Sequence, residues 1–178
     1  MNNFHIVINI TNQKLFLYNS HHKEWINGDE RWGRVIRFQP IFSTLISSAE
    51  NGVGQKNNSF QTPLGRHKIR AMIGKNEPIN SVFKGRRITG EIWNSNLSKK
   101  FPNRDWILTR ILWLSGLENG HNRFGDVDTM KRYVYIHGSP PNVEMGKTGS
   151  KGCIRMNAND VIKLFDLITV GTTVNLIL

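Results

Sequence analysis

The single cysteine of the chain lies in a setting that suits a nucleophile. Cys153 follows Gly152, just before a predicted helix, and His137 ends a predicted strand earlier in the chain. An imidazole that takes the thiol proton produces a thiolate, which attacks carbonyl carbons. Gly152 permits a tight turn in which neighbouring N–H groups converge on an oxyanion. The pattern indicates acyl transfer through sulfur, although a small buried cysteine and a hydrogen-bonded structural histidine fit the same residue types.

The elements that position these residues follow from the spacing of apolar side chains. The alternation over 4–10 and 15–18 predicts a hairpin that opens a sheet, and 19–34 reads as a polar loop with room for another strand. Four residues at helical spacing after Asn157, a candidate N-cap, predict one helix; they are Val161, Leu164, Phe165 and Ile168. Further strands are predicted at 42–46, 66–73, 106–114, 133–137 and 173–178, with a surface loop at 47–59 and another loop at 117–131. The sequence thus predicts a mainly β domain with one helix before the last strand.

Length and composition predict one globular domain over 1–178. The 178 residues are 38% hydrophobic and 21% charged, and the region at about 74–105 is polar and basic, so we interpret it as an insertion without a core of its own. One cysteine excludes an internal disulfide and a multi-cysteine zinc site, and the sequence offers no credible metal cluster. The apolar runs are too short for a membrane span. A net charge of +11 suggests an anionic partner.

The residues around Cys153 resemble the catalytic signature of the L,D-transpeptidase family, the YkuD domain. His137-Gly138 is followed by Gly-Ser-Lys-Gly-Cys-Ile-Arg-Met at 149–156, where the family has a His-Gly segment and then Ser-His-Gly-Cys-Ile/Val-Arg-Met/Leu. Other stretches are similar to the family in the same order: the hairpin at 6–18, Thr-Pro-Leu-Gly at 62–65, the strand at 107–118, and 159–178. The resemblance spans nearly the whole chain and implies a mixed, sandwich-like β-sheet fold.

The resemblance also assigns roles by position. It implies that Cys153 is the nucleophile, that His137 is its general base, and that the carbonyl of Gly138 orients the imidazole. The N–H groups of Gly152 and Cys153 would form the oxyanion hole. Arg155 would hold a substrate carboxylate through its bidentate fork, although an ion pair that only fixes the loop also fits an arginine there. Ser150, Lys151 and Tyr135 are further candidates for the substrate cleft, and packing fits Tyr135 equally well.

One position departs from the family pattern. Lys151 stands where the family commonly has a second histidine before Gly-Cys. A nearby ammonium favours a thiolate electrostatically, whereas a hydrogen bond from that imidazole to substrate or oxyanion is not available from lysine. Lys151 fits a solvated side chain equally well.

The chemistry that the resemblance implies is two-step acyl transfer without a cofactor or metal. The thiolate attacks the third-residue carbonyl of a peptidoglycan tetrapeptide stem, D-alanine leaves, and the amine of a second stem resolves the thioester into a 3→3 cross-link. Water as the acceptor gives an L,D-carboxypeptidase, and a lipoprotein lysine gives protein anchoring. Carbapenems are implied as inhibitors.

Two other functions and the location stay open at this stage. A basic non-catalytic module could bind nucleic acid, but the cations are spread along the chain and no nucleic-acid-binding motif is present, so no nucleic-acid partner is predicted. A papain-like or NlpC/P60-like peptidase would place its cysteine before its histidine, the reverse of the order here. The family implies the periplasm or cell envelope, while the lack of a visible signal peptide leaves the cytoplasm open.

Overall fold

The computed structural model describes residues 3–27 and 34–178, and within them the chain forms ten strands and two α-helices. The strands are β1 (Phe4–Asn9), β2 (Lys14–Asn27), β3 (Arg34–Leu45), β4 (Gly65–Ile73), β5 (Ser81–Lys84), β6 (Arg87–Ile92), β7 (Ile107–Gly116), β8 (Tyr135–Gly138), β9 (Ile154–Met156) and β10 (Thr173–Ile177). The helices are α1 (Ser95–Lys100) and α2 (Ala158–Leu167), and a short 3-10 helix spans Gly125–Val127.

All ten strands belong to one mixed sheet. Its order is β3-β2-β1-β10-β4-β7-β5-β6, and β8 and β9 extend from β7 as a branch. β1 pairs with β10 and β8 pairs with β9 in parallel, whereas the other pairs are antiparallel. The predicted mainly β fold with a mixed sheet is therefore confirmed, and so is the opening hairpin. Its second strand continues to Asn27, so the predicted loop at 19–34 is strand over 19–27, and 28–33 lie outside the described residues.

The inner face of the sheet packs against α2. Alternation places Ile6 and Ile8 of β1 in the core, fully buried, while His5 and Val7 lie on the opposite face. Three α2 residues complete the same cluster: Val161, Leu164 and Phe165. Burial of each such side chain contributes roughly 1.5–3 kcal/mol. The predicted helix is confirmed, with Asn157 at the N-cap position but without a side-chain capping bond.

The segment 74–105, which we predict to be an insertion, contains more structure than its composition indicated. β5 pairs with β7 and adds a hairpin to the sheet, and α1 follows with Asn94 as its N-cap. A small cluster of Val82, Trp106 and Leu108 anchors the hairpin to β7. The short α1 buries none of its residues, so it has no apolar stripe by which the sequence could have revealed it.

The prediction that 47–59 is wholly a surface loop is wrong at its start. Ser47, Ser48 and Ala49 are buried. The Ser47 N–H donates to the Arg155 carbonyl at 3.0 Å, and the Arg155 N–H donates back at 2.9 Å. Backbone pairing with Arg155 of β9 satisfies these polar groups, so a segment with the composition of a surface loop can be buried.

His67, on β4, gives a pH-dependent contribution to stability. It is fully buried, with Nδ1 donating to the Gly65 carbonyl at 2.9 Å and Nε2 lying 3.0 Å from Thr129 Oγ1. Burial lowers the pKa of His67 from its ordinary 6.5 to about 4. Between these values the unfolded chain binds a proton that the folded chain does not, so stability falls as the pH decreases from 6.5 towards 4.

We expect the free energy of unfolding to drop by about 3 kcal/mol over this range on account of His67. Urea titrations from pH 7.5 to 4 on the wild type and His67→Gln measure the effect. The variant should show a shallower slope against pH, because the group that titrates is gone. Equal slopes would show that His67 is not responsible.

Candidate active site

The pairing of β8 with β9 brings the predicted nucleophile and base to the same region of the sheet. Ile136 pairs with Ile154 and His137 pairs with Arg155, so Cys153, one residue before β9, lies beside Tyr135. Paired positions project from the same face and alternate along each strand. His137 and Cys153 therefore share one face, while Ile136 and Ile154 enter the core on the other.

His137 is held as a neutral imidazole with one free nitrogen. It is buried, and Nδ1 lies 2.8 Å from the Gly138 carbonyl oxygen. A carbonyl only accepts, so Nδ1 carries the proton and Nε2 is the basic nitrogen. Burial lowers the pKa of His137 below its ordinary value. A Cβ at Gly138 would come within 2.7 Å of the Leu108 carbonyl oxygen, so a side chain at this position would clash with β7.

The thiol of Cys153 is bound by backbone groups in its resting position. The Tyr135 N–H donates to Sγ at 3.3 Å, and Sγ donates to the Tyr133 carbonyl at 3.6 Å. Within the described residues, no hydrogen bond joins Sγ to His137. The residue is partly exposed in a small pocket of about 130 Å³, which we call the thiol pocket. Desolvation nevertheless raises the pKa of the Cys153 thiol to about 12, so the resting thiol is protonated.

Buried hydrogen bonds shape the turn that presents Cys153. Gly152 has a φ of +121°, which disfavours any other residue. The Ser150 hydroxyl donates to the Cys153 carbonyl and accepts the Gly152 N–H at 3.2 Å. Thr62, fully buried, donates to the Gly152 carbonyl at 3.1 Å and accepts the Ala49 N–H at 3.0 Å. The structure therefore places Ser150 beneath the turn, as a support for it.

Arg155 and Lys151 occupy different electrostatic settings. Arg155 donates through Nη2 to Asp105 at 2.9 Å and through Nη1 to the Gly149 carbonyl at 2.8 Å, and its side chain is 17% exposed. The ion pair with Asp105 and the hydrogen bond to Gly149 together engage both terminal nitrogens of the guanidinium. Lys151 is exposed and lines the thiol pocket.

Tyr135 is buried and connects the site to the insertion. Its hydroxyl accepts from Arg86 Nη1 at 3.0 Å, and the Arg86 guanidinium also lies over the rings of Trp113 and Tyr133, at 4.7 and 4.4 Å from their centroids. Cation–π contacts of this kind contribute about 0.5–2 kcal/mol each. Arg86 thus joins the tip of the β5–β6 hairpin to the two tyrosines whose backbone groups hold the thiol.

Sequence reasoning missed three side chains at this site. Arg132 donates to the carbonyls of 54, 55 and 61 and lines the thiol pocket, and its charge favours the Cys153 thiolate. Thr62 belongs to the Thr-Pro-Leu-Gly segment, which could have indicated it. The charge of Asp105 opposes the burial that lowers the pKa of His137 and adds to the burial that raises the pKa of Cys153, and no local pattern marks Asp105.

A family model with the description L,D-transpeptidase catalytic domain (YkuD) matches residues 3–176. The chain belongs to this family. Among curated proteins, none matches the chain significantly. The YkuD assignment confirms the resemblance on which the positional expectations for Cys153 and His137 depend.

Solved structures agree with the YkuD assignment at the level of the fold. An L,D-transpeptidase from Enterococcus faecium superposes with a TM-score of 0.53 and 15% identity, covering 99% of this chain and 50% of that one. L,D-transpeptidase 3 from Mycobacterium tuberculosis, in complex with a faropenem-derived adduct, gives 0.55 and 12% identity, covering 99% and 61%. This YkuD domain thus spans about half to three fifths of those chains. In the described part of the chain, no helix has the length and apolar character needed to cross a membrane.

Proposed function

We propose that this YkuD domain is a cysteine-dependent peptidoglycan L,D-transpeptidase that forms 3→3 cross-links between tetrapeptide stems. The observation that carries the proposal is the placement of Cys153 and His137 on one face of two paired strands, with Gly138 fixing the basic nitrogen of the imidazole. Neither residue type alone would support acyl transfer, but a neutral base and a protonated thiol on the same face are the groups that the first step needs.

The first step begins with a rotation of the thiol. Sγ leaves its hydrogen bonds with Tyr133 and Tyr135 and turns towards His137 Nε2, which takes the proton. The thiolate then attacks the carbonyl carbon of the third stem residue. The tetrahedral oxyanion accepts from backbone N–H groups, chiefly that of Cys153, because the Gly152 N–H donates to Ser150 in the resting site. Collapse forms the thioester, and His137 returns its proton to the departing D-alanine amine.

The second step reverses these roles. His137 takes a proton from the amine of a second stem, the amine attacks the thioester carbonyl, and Cys153 leaves as a thiolate that is reprotonated. Water in place of the amine would release a tripeptide, which makes the domain an L,D-carboxypeptidase, and a lipoprotein lysine would give an anchored protein. The reaction uses only groups of the chain and its substrates, so no cofactor enters the proposal.

Partners and location follow from the same chemistry. Donor and acceptor stems carry carboxylates, which suits a chain of net charge +11, and the site of action would be the periplasm or cell envelope. The M. tuberculosis relative carries a faropenem-derived adduct. By the same route a carbapenem would acylate Cys153, with opening of the lactam ring.

Product analysis with a purified disaccharide-tetrapeptide tests the proposal. A dimer that has lost one D-alanine is the expected product, and Cys153→Ala supplies the blank. A tripeptide monomer with no dimer would establish the carboxypeptidase instead. Absence of both products from the wild type, under conditions where the protein is folded, would contradict the assignment of this acyl-transfer chemistry.

A further inference from the structure

A second, larger pocket adjoins the thiol pocket. It has a volume of about 560 Å³ and lies between the end of the insertion and the Cys153 loop. Its lining comprises Pro102, Asn103, Arg104, Asp105, Trp106, Pro140, Val143, Lys151 and Arg155. Lys151 lines both pockets. A group bonded to Sγ can therefore extend past Lys151 into the larger space, which we call the side pocket.

Two of the three cations that line the side pocket are paired with a carboxylate. Arg104 forms a bidentate pair with Glu91, at 3.2 and 2.8 Å, and lies over the Trp106 ring at 4.5 Å. Arg155 is paired with Asp105 at 2.9 Å. Both guanidinium groups are thus already neutralised by carboxylates. Among the lining residues, all of which the structure describes, Lys151 is the cation without a carboxylate partner.

This arrangement suits a ligand group with both signs of charge. A ligand carboxylate beside Lys151 would form an ion pair with the one ammonium group in the pocket that has no carboxylate partner. An ammonium on the same carbon would approach Asp105, whose side chain is 42% exposed and uses Oδ1 for Arg155. Some diamino acids have a second α-amino-acid centre at the far end of the side chain. Such a centre carries a carboxylate and an ammonium on one carbon.

We propose that the side pocket receives the side-chain end of the donor stem's third residue, and that Lys151 binds its free carboxylate. This inference rests on the proposed function, because the third residue is the one that becomes bonded to Cys153. It makes Lys151 a specificity-determining residue. The domain then prefers donor stems whose diamino acid carries a free carboxylate over stems in which that group is a carboxamide or is missing.

Paired donor stems that differ only in this group test the inference. We expect the wild type to turn over the free-carboxylate stem with a kcat/KM about fivefold higher than the carboxamide stem, as an ion pair with the exposed Lys151 predicts. Lys151→Gln should reduce this ratio to near one, mainly through a higher KM for the carboxylate stem. Lys147→Gln is the matched control, because Lys147 is exposed in the same loop and paired with Glu144; it should keep the wild-type ratio.

The outcomes separate this inference from the function on which it rests. If the wild type cross-links both stems equally well, the side pocket does not read the carboxylate and the inference fails, while the transpeptidase assignment stands. A preference that persists in Lys151→Gln overturns the role of Lys151. If neither stem reacts with Cys153, the proposed function fails and this inference fails with it.

Discussion

Replacement of Cys153 by alanine is expected to reduce turnover of the tetrapeptide donor by at least about 10³-fold. The thioester requires sulfur, and Cys153 carries the only thiol of the sequence. The pocket itself should survive, because the turn is held by Ser150 and Thr62 rather than by the thiol. The measurement is the initial rate of dimer and tripeptide release, quantified by mass spectrometry.

Folding of the Cys153→Ala variant provides the control. The thiol makes two hydrogen bonds, to Tyr133 and Tyr135, and their loss should lower the free energy of unfolding by about 1–2 kcal/mol. A cooperative thermal transition close to that of the wild type, together with loss of activity, would assign the effect to chemistry. Turnover that remains within tenfold of the wild type would exclude the thiol as the nucleophile.

Replacement of His137 by glutamine is expected to change the pH dependence of acylation as well as its rate. In the wild type, burial lowers the pKa of His137, so the base is unprotonated and the rate should be flat from about pH 7 upward and fall only in acid. Without the imidazole, only spontaneous ionisation of a thiol with a pKa of about 12 supplies thiolate. The rate at pH 7 should fall by about 10²–10⁴-fold, and it should then rise about tenfold per pH unit up to pH 10.

Stopped-flow absorbance measurements of acylation by meropenem, made from pH 5 to 10, give the pH–rate profiles of the wild type and of His137→Gln. His67→Gln is a suitable control, since it also removes a buried histidine but lies on β4, outside the site. It should keep the flat wild-type profile. A His137→Gln profile that stays parallel to the wild type would show that another group takes the thiol proton.

The parts of the fold that depend on local periodicity were predictable from the sequence. Alternation revealed β1 and β8, and the spacing of Val161, Leu164 and Phe165 revealed α2, because each element buries one continuous apolar face. The adjacency of Cys153 and His137 followed from the family signature. Periodicity placed His137 on β8 but could not place Cys153 beside that strand, since the parallel pairing of β8 with the three-residue β9 joins segments that are not contiguous in the chain.

The parts that depend on long-range polar contacts were not predictable. Arg132 encloses the thiol pocket by donating to carbonyls more than seventy positions away, and no local pattern encodes such a bond. The same holds for the buried Ser47–Ala49 segment and for the Arg86 contacts with Trp113 and Tyr133. The resting position of the thiol, held by Tyr133 and Tyr135, also arises only from the folded backbone.

Intact-mass analysis after incubation with meropenem tests the covalent role of Cys153 most directly. The account predicts that the wild-type mass increases by one meropenem, that peptide mapping locates the adduct on Cys153, and that Cys153→Ala stays unmodified. An adduct on any other residue, or an unmodified wild type that is folded, would contradict it.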